Sequence, residues 1–141
     1  MALVITRATP EQLELCLWVR RRVFIEEQGV PEPLDLDGLD DGAIHLLARR
    51  DGEPVGTLRL RPSGSRAKVE RVAVLAPLRD EGIGRALMDA VHQLARGEGL
   101  EVLELHAQVP VIGFYERLGY QAYGPVFLDA NIEHRAMRLE L

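Results

Sequence analysis

Residues 71 to 85 read Arg71-Val72-Ala73-Val74-Leu75-Ala76-Pro77-Leu78-Arg79-Asp80-Glu81-Gly82-Ile83-Gly84-Arg85, and the reading of this stretch decides the fold. Val69, Val72 and Val74 suit a strand over residues 67–75. Beyond the glycines, Leu87, Met88, Val91, Leu94 and Ala95 recur at helical spacing until Gly97-Glu98-Gly99 stops the run. Residues 100–107 then set Val102, Leu103 and Leu105 among Glu101, Glu104 and His106, which predicts a second strand. A helical crossover makes it parallel to the first. Strand, glycine loop, helix and strand therefore form one βαβ unit.

The loop has a chemistry of its own. Unpaired backbone N–H groups and the positive end of a helix dipole converge there, which favours phosphate. Gly82 and Gly84 permit close backbone approach, while Arg79 and Arg85 supply positive charge suited to a pyrophosphate. A Gly-x-Gly turn alone is equally compatible with a plain tight turn. A dinucleotide fingerprint needs a third glycine where Leu87 stands, and a phosphate loop of the Walker type needs Gly-Lys-Ser/Thr; neither pattern is present.

Outward from this unit the chain is rich in antiparallel signals. Residues 43–50 and 54–61 are strand-like and joined by Asp51-Gly52, a hairpin turn, and a turn at Pro62-Ser63-Gly64-Ser65 leads into the strand before the loop. Leu3-Val4-Ile5 is a short strand. Thr9-Pro10-Glu11-Gln12 opens a helix, with Thr9 as N-cap and Gln12 completing a capping box, and that helix runs to about Gln28 before Gly29 stops it. Residues 30–42, with Pro31, Pro33 and several aspartates, form a loop or short irregular helix. After the βαβ unit come a short helix over 110–118, closed by Gly119, and strands over 120–128 and 132–141 around Asp129-Ala130-Asn131. The expected architecture is one α/β (α+β) domain over residues 1–141, with a mixed, mostly antiparallel sheet of six to seven strands flanked by helices.

Composition narrows the function. A chain of 141 residues buries about two-thirds of its unfolded surface, enough for a core without staples. The lone Cys16 forms no internal disulfide, and no Cys/His spacing suggests a metal, so no metal is expected and a reducing, cytoplasmic setting fits. Met1 to Thr9 lacks a charged segment leading into an apolar run, and no window approaches a membrane span, so no membrane partner is expected. The net charge of -5 and a pI near 5.4 disfavour nucleic acid. Arg20-Arg21-Arg22 is the local exception and reads as a solvated helix face. The chain should be a monomer or a homodimer.

The pattern Arg-x-x-Gly-x-Gly after a Val-x-Val strand resembles the GNAT superfamily of N-acetyltransferases. The order of elements from Leu3 to Leu141 is similar to the whole GNAT arrangement. Further motifs resemble its small bacterial ElaA-like subgroup: Arg22-Val23-Phe24-Ile25-Glu26-Glu27-Gln28, the segment from Asp37 to His45, Arg71-Val72-Ala73-Val74, Ala107-Gln108, Phe114-Tyr115-Glu116 and His134-Arg135-Ala136-Met137. The resemblance implies an acetyltransferase that takes acetyl-CoA as acyl donor and a small-molecule or peptide amine as acceptor. It implies that Val72, Ala73 and Val74 offer backbone groups to the pantetheine arm, and that Arg79, Asp80, Glu81, Gly82, Ile83, Gly84 and Arg85 cradle the pyrophosphate. It also implies that Tyr115, beside Phe114, sits near the cofactor sulfur as general acid, and that a backbone N–H of the Val72–Val74 strand polarises the thioester where neighbouring strands splay. Asp80 departs from the family, which has glycine at that position.

Direct amine acylation needs a neutral amine, a placed thioester, a polarised carbonyl and a proton for the thiolate. Tyr115 is alternatively a core ring packed on Phe114. Gln108 either lines the acceptor side of the gap or satisfies surface backbone. For the base, Glu70 is the first candidate, beside Glu26, Glu27 and His45; His45 and His134 could instead be structural hydrogen bonders, and water could relay the proton. Asp35, Asp37, Asp40 and Asp41 would attract a cationic amine, or merely keep the surface soluble. The competing reading from a different class is a non-catalytic acyl-CoA sensor using the same pocket.

Overall fold

The computed structural model describes residues 2–141; Met1, the first residue of the opening segment tested above for a leader, lies outside the described residues. Seven strands form one sheet: β1 (Leu3–Arg7), β2 (Ile44–Arg50), β3 (Glu53–Ser63), β4 (Arg66–Val74), β5 (Val102–Gln108), β6 (Gln121–Asp129) and β7 (Ile132–Glu140), in the order β1-β2-β3-β4-β5-β7-β6. Only β4 and β5 are parallel, and the connection between them carries α3 (Ile83–Gly97), as a crossover requires. The mixed, mostly antiparallel sheet with a central βαβ unit is the expected one.

The N-terminal helix begins where the capping box placed it, at the turn Pro10–Gln12, with the reciprocal Thr9 and Gln12 bonds present. It continues as α1 (Leu13–Arg20) and then widens into π-helical turns over Arg21–Glu27. The widening turns Val23 into the small apolar cluster with Val19 and Ala73, and Phe24 packs against that cluster. One turn of helix, α2 (Glu32–Asp35), interrupts the long loop.

Apolar alternation sorts the two faces of the sheet. Leu58, Leu60, Ala67, Val69, Leu103 and Leu105 join Leu87, Met88 and Val91 of α3 in the main core. The other face of β2, β3 and β4 lies under α1 and includes the buried Thr57 and Arg59. The alternation of β4 changes phase once. Val69 faces α3, but after Arg71 it is Val72 and Val74 that pack against the same core, while Ala73 faces the cluster of α1. Arg71 stands at a φ of +56°, and the β3 pairing slips between Thr57 and Arg59. This is a β-bulge: one extra residue, a local bend and a reversal of side-chain faces.

Gly56 lies on β3 opposite Val74, just beyond the bulge. A Cβ there would stand 3.1 Å from the Ala73 carbonyl oxygen, 3.0 Å from Leu87 Cδ1 and 3.2 Å from Ile83 Cγ2. The bent strand and α3 approach one another over a residue with no side chain. Gly56→Ala should therefore destabilise the protein by about 1–3 kcal/mol through overpacking, read as a lower urea midpoint. A midpoint equal to that of the parent would show that the strand and helix have room to part.

Candidate active site

β4 and β5 pair only from Arg66 with Val102 to Val69 with Leu105. Beyond that point the bulge at Arg71 turns β4 away, so residues 70–74 and 106–108 diverge as the two arms of a V. A cleft of about 780 Å³ fills the gap and extends to the start of α3 and to the β6–β7 turn. Val72, Ala73, Val74, Gln108, Phe114 and Tyr115 all line it.

The glycine loop forms one end of this cleft. Gly82 is the N-cap of α3 with a φ of +88°, and Asp80 is also left-handed, at +65°. The N–H groups of Gly82, Ile83, Gly84 and Arg85 donate to no protein acceptor among the described residues; the first helical bond is Ala86 to the Gly82 carbonyl at 3.0 Å. Four donors at the positive end of a fifteen-residue helix face an open cleft. The left-handed turns at 80 and 82 aim them together, as anion-binding nests do.

The side chains of the loop contribute less than their charges suggested. Arg79 is not poised for a phosphate: its guanidinium holds Glu27 at 2.5 and 2.7 Å and the Val74 carbonyl at 3.0 Å. That contact lowers the Glu27 pKa and pins the loop to the end of the first helix. Glu81 turns outward to Arg50 at 2.7 Å. Neither Arg79 nor Arg85 neutralises Asp80; Arg85 is largely exposed and lies 3.8 Å from Asp89. Glycine at position 80 would remove both a side chain strained by positive φ and a negative charge beside the donors.

Opposite the loop, α4 (Ile112–Arg117) brings Tyr115 to the wall of the cleft. Its ring meets Phe114 at 5.0 Å and Tyr120 at 5.9 Å, edge to face. Tyr115 thus packs in the core and also lines the cleft. Burial pushes its pKa well up, so the hydroxyl keeps its proton at neutral pH. Tyr120 is held in turn by His92 of α3, 2.8 Å from its hydroxyl oxygen. This support is not legible from sequence, because residues 92 and 120 share no motif. At the far end of β5, Gln108 does not satisfy surface backbone: its side-chain amide donates to Gln28 Oε1 at 2.9 Å and bridges the cleft to the end of the first helix.

A family model described as an acetyltransferase (GNAT) domain matches residues 5–141. The chain belongs to the GNAT acetyltransferase family. Among its relatives, YyaT of Bacillus subtilis is 38% identical over 141 residues, covering 97% of this chain and 95% of YyaT. An acyl-CoA N-acyltransferase from Pseudomonas aeruginosa is 32% identical with a TM-score of 0.85, covering 97% and 99% of the two chains. ElaA of Escherichia coli is 25% identical with a TM-score of 0.86, over 97% and 99%. The fold, the family and the acyltransferase class stand together.

Within this GNAT domain the residues proposed to attract an amine serve another purpose. Arg20, buried and not solvated, binds Asp35 at 3.3 Å and Asp40 at 2.7 Å. Arg59, wholly buried, binds Asp37 at 2.8 Å, Asp40 at 3.0 Å and Glu70 at 3.1 Å. Arg71 reaches Asp35 and Asp37, each at 3.2 Å. Asp35, Asp37 and Asp40 are thus the internal counter-ions of three arginines; only Asp41 matches the soluble-surface reading. Among the described residues no group of metal-ligating side chains forms.

The same network counts against Glu70 as base. Glu70 is bound by Arg61 and Arg59 with Lys68 at 3.7 Å, and although burial raises its pKa, these cations outweigh burial and lower it. A carboxylate so held is a poor proton acceptor. Glu26 pairs with Arg22 at 3.7 Å, Glu27 with Arg79, and His45 is buried with Nε2 2.9 Å from the Asp40 carbonyl.

Asp37 is held low chiefly by its bonds to Arg59; Asp40 and Glu70 are raised by burial, but their arginines bring them lower on balance. Depressed folded pKa values contribute stability that is complete above the ordinary carboxylate range and lost as pH falls through the folded values. Melting temperature should therefore hold above about pH 5 and fall steadily below about pH 4. Arg59→Met should cost about 3–5 kcal/mol at pH 7, by stranding three carboxylates, and should flatten the acid loss. Equal acid slopes in parent and variant would remove Arg59 from this role.

Proposed function

We propose that the chain transfers an acetyl group from acetyl-CoA to a primary amine of a small molecule or peptide, by direct attack of the amine on the thioester. One observation carries the reading: the β4–β5 divergence opens from the free N–H groups of α3, past the edge of Val72–Val74, to Tyr115. A phosphate-bearing end and a narrow arm fit such a cleft in that order. The likeness to the acyl-CoA N-acyltransferase of P. aeruginosa supports the same donor class.

On this reading Gly82, Ile83, Gly84 and Arg85 bind the pyrophosphate through backbone N–H groups, which need no side-chain charge. The exposed edge of Val72, Ala73 and Val74 pairs with the amides of the pantetheine arm, and one of its N–H groups polarises the thioester carbonyl. Tyr115, protonated at neutral pH, donates to the departing thiolate.

Tyr115→Phe should lower release of CoA thiol with a responsive amine by about 100-fold, leaving CoA affinity unchanged by calorimetry. Activity equal to the parent's would take Tyr115 out of the reaction, and tight binding with no turnover across a broad amine panel would favour a sensor. Asp80→Gly should tighten CoA binding several-fold, more at low salt than at high, because it removes like charge beside the phosphates. Unchanged or weaker affinity at both salt levels would place the pyrophosphate elsewhere.

A further inference from the structure

The acceptor end of the cleft holds an aromatic cluster that the roles above do not use. His106 of β5 and His134 of β7 flank Phe127 of β6, with centroid distances of 4.9 Å and 5.9 Å, and the His134 ring stacks on Phe127 at 21°. His106 and His134 both line the cleft, and His134 pairs across the sheet with Gln108, the last residue of β5 before the gap.

The two imidazoles are not equivalent. His134 Nδ1 lies 2.7 Å from the Ile132 carbonyl oxygen. A carbonyl oxygen only accepts, so in the neutral ring the proton resides on Nδ1 and donates to it. Nε2 is then left with its lone pair, and it has no protein partner among the described residues. One hydrogen bond has fixed the tautomer, as the orienting residue of a catalytic imidazole does. His106 has no such bond and therefore no fixed tautomer.

We propose that His134, through Nε2, is the general base of the acyl transfer. This rests on the acetyltransferase reading above. In the step, Nε2 takes one proton from the ammonium form of the acceptor and passes it to solvent. The neutral nitrogen attacks the thioester carbonyl, the C–N bond forms, and the C–S bond breaks. The second proton lost by nitrogen leaves the tetrahedral adduct as CoA departs and is protonated to the thiol. Protons and charge balance with one proton released per ammonium consumed, and no other co-reactant is needed.

The groups around His134 allow this role. Glu133 and Arg135 flank it on β7, Asp129 lies across the turn on β6, and His106 of β5 with Lys68 and Glu70 of β4 line the same cleft. Glu70 is engaged with Arg59, Arg61 and Lys68, and no carboxylate among the described residues forms an ion pair or hydrogen bond with the His134 ring. The stacked Phe127 and the Ile132 bond hold the ring of a residue that lines the cleft.

The test uses His134→Asn, whose side-chain amide can keep the bond to Ile132 while supplying no base. Thiol release from acetyl-CoA is followed across a panel of primary amines that includes benzylamine and spermidine. With the parent, kcat/KM for total amine should level off above an acid limb; with the variant it should fall at least 10-fold at pH 7 and rise about tenfold per pH unit, tracking the neutral amine alone. CoA affinity should not change. Parallel pH profiles for parent and variant would overturn the assignment while leaving the acyltransferase reading intact. No thiol release by the parent with any amine would overturn that reading and this inference with it. A measurement independent of turnover and of any variant is the long-range proton–nitrogen spectrum of the parent: the neutral His134 ring should carry its proton on Nδ1, and a proton on Nε2 would overturn the proposal.

Discussion

Arg71 occupies a left-handed backbone conformation inside a strand, and the active site depends on it. A residue with a long side chain does not rest there without support; the conformation costs on the order of 1–2 kcal/mol. Its guanidinium supplies the support by reaching Asp35, Asp37 and the carbonyl oxygen of Leu34 at 3.1 Å. The loop after the first helix therefore holds the bulge, and the bulge holds the cleft open. Without the extra residue, β4 would continue beside β5 to its end and Val72–Val74 would have no free edge.

Beneath that clamp lies a layer of charge that is almost closed on itself. Arg20, Arg59, Arg61 and Arg71 face Asp35, Asp37, Asp40 and Glu70, four cations against four anions, with Lys68 at the margin. Burial of such groups is tolerable only where each has partners, and removal of one strands several. The layer joins the first helix, the acidic loop, β3 and β4, so the β4 wall of the cleft is fixed to the first helix before any substrate arrives. The proposed chemistry falls to groups outside it: the backbone donors of α3, the hydroxyl of Tyr115 and the imidazole of His134.

The βαβ unit was legible in the sequence because it rests on local signals: a glycine pair, a helical period and an alternating strand. The hairpins followed from Asp51-Gly52 and the turn at 62–65 for the same reason. The buried charge layer was not legible. Thr57-Leu58-Arg59-Leu60-Arg61 alternates like a strand with one wet face, and alternation cannot say whether that face meets water or carboxylates twenty residues away. Neither reading of the acidic loop, a lure for cations or a soluble surface, anticipates its internal role, because its arginine partners are scattered over three elements. The bulge did leave a trace: Val69 and Val72, three residues apart, cannot share one face of an unbroken strand. A similar trace was missing for His134, whose tautomer depends on a backbone carbonyl two residues away and on the turn that places it.

The contrast between the charge layer and the β6–β7 hairpin bears on how this protein could change its acceptor over evolutionary time. A substitution at Arg59 or Asp40 disturbs several partners at once, so that wall drifts slowly and only by coordinated replacement. The hairpin is different: β6 is an edge strand, mostly exposed, with a left-handed Gly124 near its middle and left-handed Ala130 and Asn131 at its tip. Its residues have few obligations to the core. Under the proposed reaction, new acceptor shapes can be explored there one residue at a time, while the donor side of the cleft stays as it is.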